Sequence, residues 1–409
     1  MHSDSTVTLT RYQELWDGFR QRGLRQGLYT AGGVVMRDTL LDLHGPEHQL
    51  RRRVENRLFR RGTFKTWEAD LVPEIIDEAF APVIKQGHAD LVLLGTRTVM
   101  NLTAKVAGID RLTGSVEETD ALQGFATKFS EGATLIHTTR DPEVVRAEVT
   151  EALDRFDAMF FTPSFERRAA LLADPAVAED AYPRDVLMAL VRNQEELGID
   201  RGVMLREVAF YLQAGSHSTS DAFTHSVDEI LRWARRHPEQ AHRLDDDLFV
   251  QRCVHEVMRL HPASPEALRR AVEDVTLRDG RSIPAGTFVR MDIKAANTDP
   301  EVFGPDASEF DPDRVVPSGV QPWGHTFGGG MHACIGMELD GGTVPKEGEA
   351  EHVLGTVPLM VRELLRHGVR PDPASPPVKE AHSSRDHFGG YPVLFGGAGD
   401  PVTPGEIGR

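Results

Sequence analysis

The chain has 409 residues, 40% hydrophobic and 27% charged, with a mean hydropathy of -0.33, values that exclude disordered, collagen-like and fibrous classes. Its net charge of -17, from 46 Lys+Arg against 63 Asp+Glu, argues against nucleic acid as a partner, because phosphate binding needs a basic surface. No stretch approaches the roughly 18 apolar residues of a membrane span, and Met1-His-Ser-Asp-Ser is not the basic-then-apolar start of a secretory leader. The expectation is a cytoplasmic protein without membrane contact. Two cysteines, Cys253 and Cys334, are too few for a disulfide framework or a four-thiolate cluster, so any thiol chemistry is solitary.

No internal repeat or coiled-coil heptad divides the chain, which reads as one domain over 1–409. Apolar residues at three- and four-residue intervals predict helices around 67–86, 88–108, 118–130, 141–158, 184–195 and 246–260. Asp141-Pro142, Thr162-Pro163 and Tyr182-Pro183 punctuate them. The longest helix runs from an N-cap at Asp200 to His237-Pro238, about 37 residues and about 55 Å, enough to cross the domain. Inside it, Ala214-Gly215-Ser-His217-Ser218-Thr219-Ser220 interrupts an apolar stripe with poor helix formers. The run is either a polar kink with hydroxyls bonded back to the helix or a functional groove. Short strands follow between 272 and 295, around Asp279-Gly280 and Pro284-Ala285-Gly286. A long Pro-, Gly- and Asp-rich loop covers 296–336. Strand signals return at Tyr391–Phe395, and the Gly/Pro residues 397–409 read as a loose tail.

The segment with the most chemical content is Phe327-Gly328-Gly329-Gly330-Met331-His332-Ala333-Cys334-Ile335-Gly336. Three glycines allow sharp turns and close approach to a flat ligand. A compact loop of this kind turns backbone N–H groups toward a cysteine sulfur, which favours the thiolate and tunes a metal bound to it. A thiolate is among the few side chains that hold haem iron.

This stretch resembles the haem-ligand loop of the cytochrome P-450 superfamily, F-G-x-G-x-H-x-C-x-G, at every defined position. The resemblance implies a mainly α fold with small β-sheets, and haem b (iron protoporphyrin IX) between the long distal helix and the Cys334 loop. Phe327, Gly328, Gly330 and Gly336 would shape that loop. Glu256-Val-Met-Arg259, an acid and a base on one helical face, resembles the family's structural Glu-x-x-Arg, and Arg314 its third member. The resemblance also implies that His48, Arg52, Arg269 and His332 hold the haem propionates. His48 and Arg52 are one helical turn apart.

On the distal side the family reads Ala/Gly-Gly-x-Asp/Glu-Thr. Ala214 and Gly215 match, but His217 stands for the acid and Ser218 for the alcohol, with Thr219 beside it. A histidine with a pKa of about 6.5 moves protons near neutrality, so Gly215, His217, Ser218 and Thr219 are the expected distal residues, with Ala214 lining the haem. Two further departures are expected. The region 1–43 lacks the family's usual first helix and hairpin, and Thr8-Leu-Thr-Arg-Tyr-Gln-Glu-Leu-Trp16 resembles the strand and helix that follow them. After Cys334, Asp340-Gly341-Gly342-Thr-Val-Pro345 breaks a helix that should resume near Glu349.

The implied activity is a monooxygenase that hydroxylates or epoxidises a small to medium apolar substrate, a secondary-metabolism type of reaction. Electrons would come from a separate ferredoxin and ferredoxin reductase. Arg51, Arg52, Arg53, Arg57, Arg60 and Arg61 read either as a solvated face or as a docking patch for an acidic ferredoxin. Substrate contacts are expected from 28–42, 205–215, 263–268 and Phe388–Tyr391. A peroxide-driven or redox-neutral haem-thiolate enzyme and a non-enzymatic haem sensor or carrier are the alternatives. Two rival motifs fail. Gly45-Pro46 splits the two histidines of His44-Gly-Pro-Glu-His48, which a zinc-protease helix would keep together. Gly328-x-Gly330-x-x-Ala333 follows a Pro/Gly loop rather than the strand of a dinucleotide site.

Overall fold

A computed structural model describes residues 6–29, 32–135, 138–345, 352–381 and 385–396; the expected loose tail, 397–409, lies outside them. The long helix spans Arg201–Arg236, and the Asp200 carboxylate caps it by accepting the Val203 N–H at 2.8 Å. Met204, Val208, Leu212, Phe223, Val227 and Ile230 are buried along it, because the apolar stripe faces helices on several sides. These are Leu91–Ala107, Val116–Ala133, Asp247–Leu260 and Thr356–Arg366. The helices Leu91–Ala107 and Arg201–Arg236 approach closely where each has a glycine. A Cβ on Gly95 would lie 2.7 Å from the Phe223 ring, and one on Gly215 would lie 3.1 Å from Thr103 Oγ1.

The polar run 214–220 does not break the helix. Its hydroxyls bond back to carbonyls of the preceding turn, Ser218 to Ala214 at 3.1 Å and Ser220 to His217 at 3.2 Å, so their polarity is absorbed locally.

The strand and helix expected near the start are Thr6–Leu9 and Tyr12–Gly18. Thr6–Leu9 lies parallel to Phe288–Asp292 at the edge of a four-stranded sheet. Phe288–Asp292 pairs antiparallel with Glu266–Ala271, which pairs with Leu24–Gln26. Glu266–Ala271 escapes the sequence reading because Arg269 and Arg270 disturb its alternation; it takes over the end of the expected substrate segment 263–268. A three-stranded sheet joins His88–Asp90, Pro392–Leu394 and Arg370–Pro371. The helix expected from 88 therefore begins at Leu91, with the Asp90 side chain as its cap.

Beyond Cys334 a short helix, Met337–Asp340, stops at Gly341, and the next described helix starts at Thr356 rather than near Glu349, which lies outside the described residues. The backbone leaves and returns through a narrow neck. Gly342 and Gly355 both have positive φ, and a Cβ on Gly342 would lie 2.2 Å from the Leu354 carbonyl oxygen. The buried Gln251 amide holds the neck, its Nε2 lying 2.9–3.2 Å from the carbonyls of Gly341, Thr343, Val353 and Leu354. Gln251→Leu is expected to cost about 1–3 kcal/mol, because it strands buried carbonyls. The urea midpoint checks this; an unchanged midpoint would mean that the glycines alone close the neck.

Candidate functional site

The proximal loop is built from its glycines. Gly328 and Gly330 have φ of 65° and 66°, a region that L side chains rarely enter. A Cβ at Gly330 would lie 2.0 Å from the Phe19 carbonyl oxygen. Phe327 packs edge-on against Trp323, ring centroids 5.6 Å apart, and its carbonyl accepts the Cys334 N–H at 2.9 Å. Cys334 is accessible whereas Cys253 is buried. Enclosure by protein pushes the Cys334 thiol up to about 11. Against that, the backbone N–H groups of Gly336 and Met337 point at its sulfur and, with Arg52, favour the thiolate, while Asp340 opposes it.

A cationic cluster borders this loop. His48 sits on the helix Gly45–Glu55, and its ring meets that of His332 at 4.7 Å. The His44 ring lies 5.7 Å from His332. Neither nitrogen of His48 nor Nε2 of His332 has a hydrogen-bond partner, although all three are buried. Arg52 donates to the Ala333 carbonyl at 2.9 Å, which ties the His48 helix to the Cys334 loop. Arg269 is buried on its strand and bonds Gln26 and its own strand's Leu268 carbonyl, with no carboxylate in reach among the described residues. Burial, with repulsion from Arg52 and His44, lowers His48 to about 4. Burial also lowers Arg269 to about 10.

Buried cations without counter-charges are costly. Orphaned ring nitrogens on His48 and His332 together with an unneutralised Arg269 fit an anionic group. Two carboxylates on a flat macrocycle satisfy them, and the glycine cradle suits the macrocycle itself. The residues therefore fit haem. His44 was read only as part of a rival motif, and Gln26 was not singled out, because the sheet and not the chain order brings them here.

The Glu256–Arg259 pair is bidentate, at 2.6 and 2.8 Å. Arg314 Nε adds to Glu256 at 2.9 Å, and Arg259 also donates to the carbonyls of Asn297 and Ala307. This network locks the helix Asp247–Leu260 to the loop that leads into Phe327.

The distal residues divide. Ala214 and Ser218, one turn apart, lie on an accessible face of the long helix. His217 is tucked behind them with Nε2 buried and unpartnered. Gly215 faces Thr103 of the neighbouring helix, which accounts for its lack of a side chain. Thr219 is buried and faces Asp340, whose carboxyl it helps to hold down against burial; that approach, between the long helix and the segment after Cys334, was not foreseen. The expected arginine patch is largely spent on internal pairs. Arg51 is buried against Glu207 at 2.7 Å, Arg53 meets Glu196 at 2.9 Å and Arg61 meets Glu338 at 3.2 Å.

The sequence profile of the Cytochrome P450 family matches residues 207–339, from the long helix through the Cys334 loop. Over that third of its length the chain is similar to the cytochrome P450 family. Cytochrome P450 monooxygenase calE of Penicillium decumbens is 31% identical over 227 residues, which cover 47% of this chain and 42% of that protein. The chain thus matches about two-fifths of that relative's length. The fold is that of solved bacterial cytochromes P450. Myxobacterial cytochrome P450 CYP267B1, solved with myristic acid, aligns at a TM-score of 0.73 with 21% identity over 95% of this chain and 90% of that one. P450BioI, solved with hexadec-9Z-enoic acid on acyl carrier protein, aligns at 0.73 with 18% identity over 95% and 92%. No described helix is long and apolar enough to cross a membrane.

Arg269→Leu is expected to raise the rate of haem loss to a scavenger protein about tenfold or more, the value of a charged hydrogen bond. An unchanged rate would remove Arg269 from the haem contacts.

Proposed function

We propose that the chain is a cytochrome P450, a haem-thiolate monooxygenase acting on an apolar organic substrate. The observation that carries this reading is an accessible cysteine, with backbone N–H groups aimed at its sulfur, beside His48, His332, Arg52 and the buried Arg269, which have no carboxylate partner among the described residues. Haem b held by Cys334 supplies O₂ activation and electron-rich thiolate ligation. The net reaction is RH + O₂ + 2H⁺ + 2e⁻ → ROH + H₂O. In this reading the electrons come from a separate iron–sulfur protein and its NAD(P)H-dependent reductase.

The chain's residues have divided tasks. Arg52, Arg269, His48 and His332 bind the propionates and set the macrocycle's orientation. Gly328 and Gly330 let the backbone lie close to its proximal face. Gly336 and Met337 hold the sulfur as thiolate. Ser218 presents a hydroxyl on the accessible helix face, where it donates a hydrogen bond to oxygen, and His217 stands behind it as the proton-holding group. Glu256, Arg259 and Arg314 act by holding the fold. Segments 28–42 (of which 30–31 lie outside the described residues), 205–215, 263–268 and Phe388–Tyr391 border the substrate space.

Reduction with dithionite followed by carbon monoxide tests the reading. A strongly red-shifted Soret band supports it. A histidine-type band, or no haem band after haem supplementation, overturns it. Product from ferredoxin, reductase and NAD(P)H supports the O₂ route, whereas product from peroxide alone favours a peroxide-driven enzyme and turnover with neither favours a redox-neutral one.

A further inference from the structure

The distal motif lacks its acid, yet the same face of the long helix carries ionisable side chains further along. His217, Asp221, His225 and Glu229 recur every fourth residue, so they stand in one row with steps of about 6 Å. Asp221 and His225 side chains are only 11% and 2% accessible, which is not the exposure of a solvated polar face.

Two other segments complete the row. The turn before Phe388–Gly390 brings His387 Nε2 to 3.4 Å from Asp221 Oδ2. The same turn places the Asp386 carbonyl 2.6 Å from His225 Nε2, so that nitrogen carries the proton and Nδ1 is the acceptor. His225 Nε2 also lies 3.7 Å from Asp221 Oδ1. At the end of the helix Asp247–Leu260, the His261 ring stacks on His225 with centroids 4.3 Å apart. His261 Nε2 is 3.2 Å from Glu229, and its Nδ1 lies 3.5 Å from Asp386 Oδ2. His261 and Glu229 line an open basin of about 700 Å³, with Lys294 and Arg232 on its wall.

We propose that this row is a proton relay, running from the basin through His261, His225, Asp221 and His387 to His217 and the hydroxyl of Ser218. The inference rests on the monooxygenase reading, whose reaction consumes two protons. A proton taken up at His225 Nδ1 releases the one on Nε2 to Asp221. Asp221 passes its own to His387 and on to His217, and water in the basin replaces the first. Only O–H and N–H bonds are exchanged along the row, and the electrons are those of the separate electron-transfer protein.

The electrostatics suit the task. Burial, with Asp386 adding repulsion and Lys379 and Arg385 opposing, raises Asp221 to about 7. Burial, with Arg385 nearby, lowers His217, and burial with Arg385 and His217 lowers His387. His225 is lowered by burial and by His261 and Lys379, which Asp386 opposes. Asp221, an acid near neutrality, is matched to proton exchange at that pH, and the step through His225, lowered to about 3, is the costly one of the row.

The test uses Asp221→Asn, Asp221→Glu and His225→Phe in the haem-loaded protein. After dithionite reduction and removal of excess reductant, reoxidation by O₂ is followed at the Soret band in H₂O and D₂O on both sides of neutrality. The wild type should reoxidise faster as pH falls through about 7 and more slowly in D₂O. Asp221→Asn and His225→Phe should slow it about tenfold or more and flatten both dependences, and Asp221→Glu should restore them. In the unloaded protein, imidazole NMR should show the His387 titration displaced by Asp221→Asn. Unchanged rate, pH profile and isotope effect in Asp221→Asn, with a normal thiolate carbonyl band, overturn the relay alone. A wild type without that band overturns the monooxygenase reading and the relay with it.

Discussion

Arg259→Leu is expected to leave little folded protein. The Arg259 side chain has no solvent exposure. Its guanidinium holds both oxygens of Glu256 and the carbonyls of Asn297 and Ala307, and it lies over the Phe303 ring at 4.9 Å. Leucine replaces its volume but leaves one oxygen of the buried Glu256 carboxylate and two carbonyls without donors. Breaking a buried pair from one side costs about 3–5 kcal/mol, against a total stability of about 5–15 kcal/mol for typical domains. Arg259→Lys keeps the charge but loses the planar fork, so it should fall between the two. The yield of folded protein and the denaturant midpoint measure the effect. A midpoint for Arg259→Leu within experimental error of the wild type would mean that Arg314 alone holds Glu256.

Cys334→Ala should abolish the red-shifted carbonyl band while leaving the protein folded. The cysteine side chain is accessible and its backbone N–H bonds the Phe327 carbonyl, a contact that alanine retains. Circular dichroism and the denaturant midpoint should therefore stay near wild type. Haem taken up by the variant can be held only by the propionate contacts and packing. A retained thiolate band in Cys334→Ala would overturn the assignment of the axial ligand, because Cys253, the other thiol, is buried within the core.

The Cys334 loop was legible because its information is contiguous. Ten residues set both the glycine turns and the position of the sulfur, and no distant element is needed to interpret them. Glu256 and Arg259 were legible for a similar reason, being one turn apart on a helix. Gly215 matches the distal pattern, and the nearest side chain it faces is Thr103, since an absent side chain can serve a helix crossing as well as a groove. Thr219 was read as distal, and its approach to Asp340, 121 positions along the chain, could not be seen from the sequence. Helical periodicity at 221, 225 and 229 was visible in the sequence. Its significance was not, because His261 and His387 reach it only through the tertiary fold.

The neck at Gly341–Gly355 has a bearing on engineering. Its two strands of backbone are already clasped, with the Thr343 N–H bonded to the Val353 carbonyl at 2.9 Å. Closing a longer loop adds only about 0.6 kcal/mol for each doubling of its length. A foreign module spliced between those two residues would therefore be tethered at the sulfur-bearing side without stretching the helices that carry the clasp. An iron–sulfur domain grafted there would turn a diffusive electron donor into a covalently attached one, at an effective concentration set by the graft's own ends.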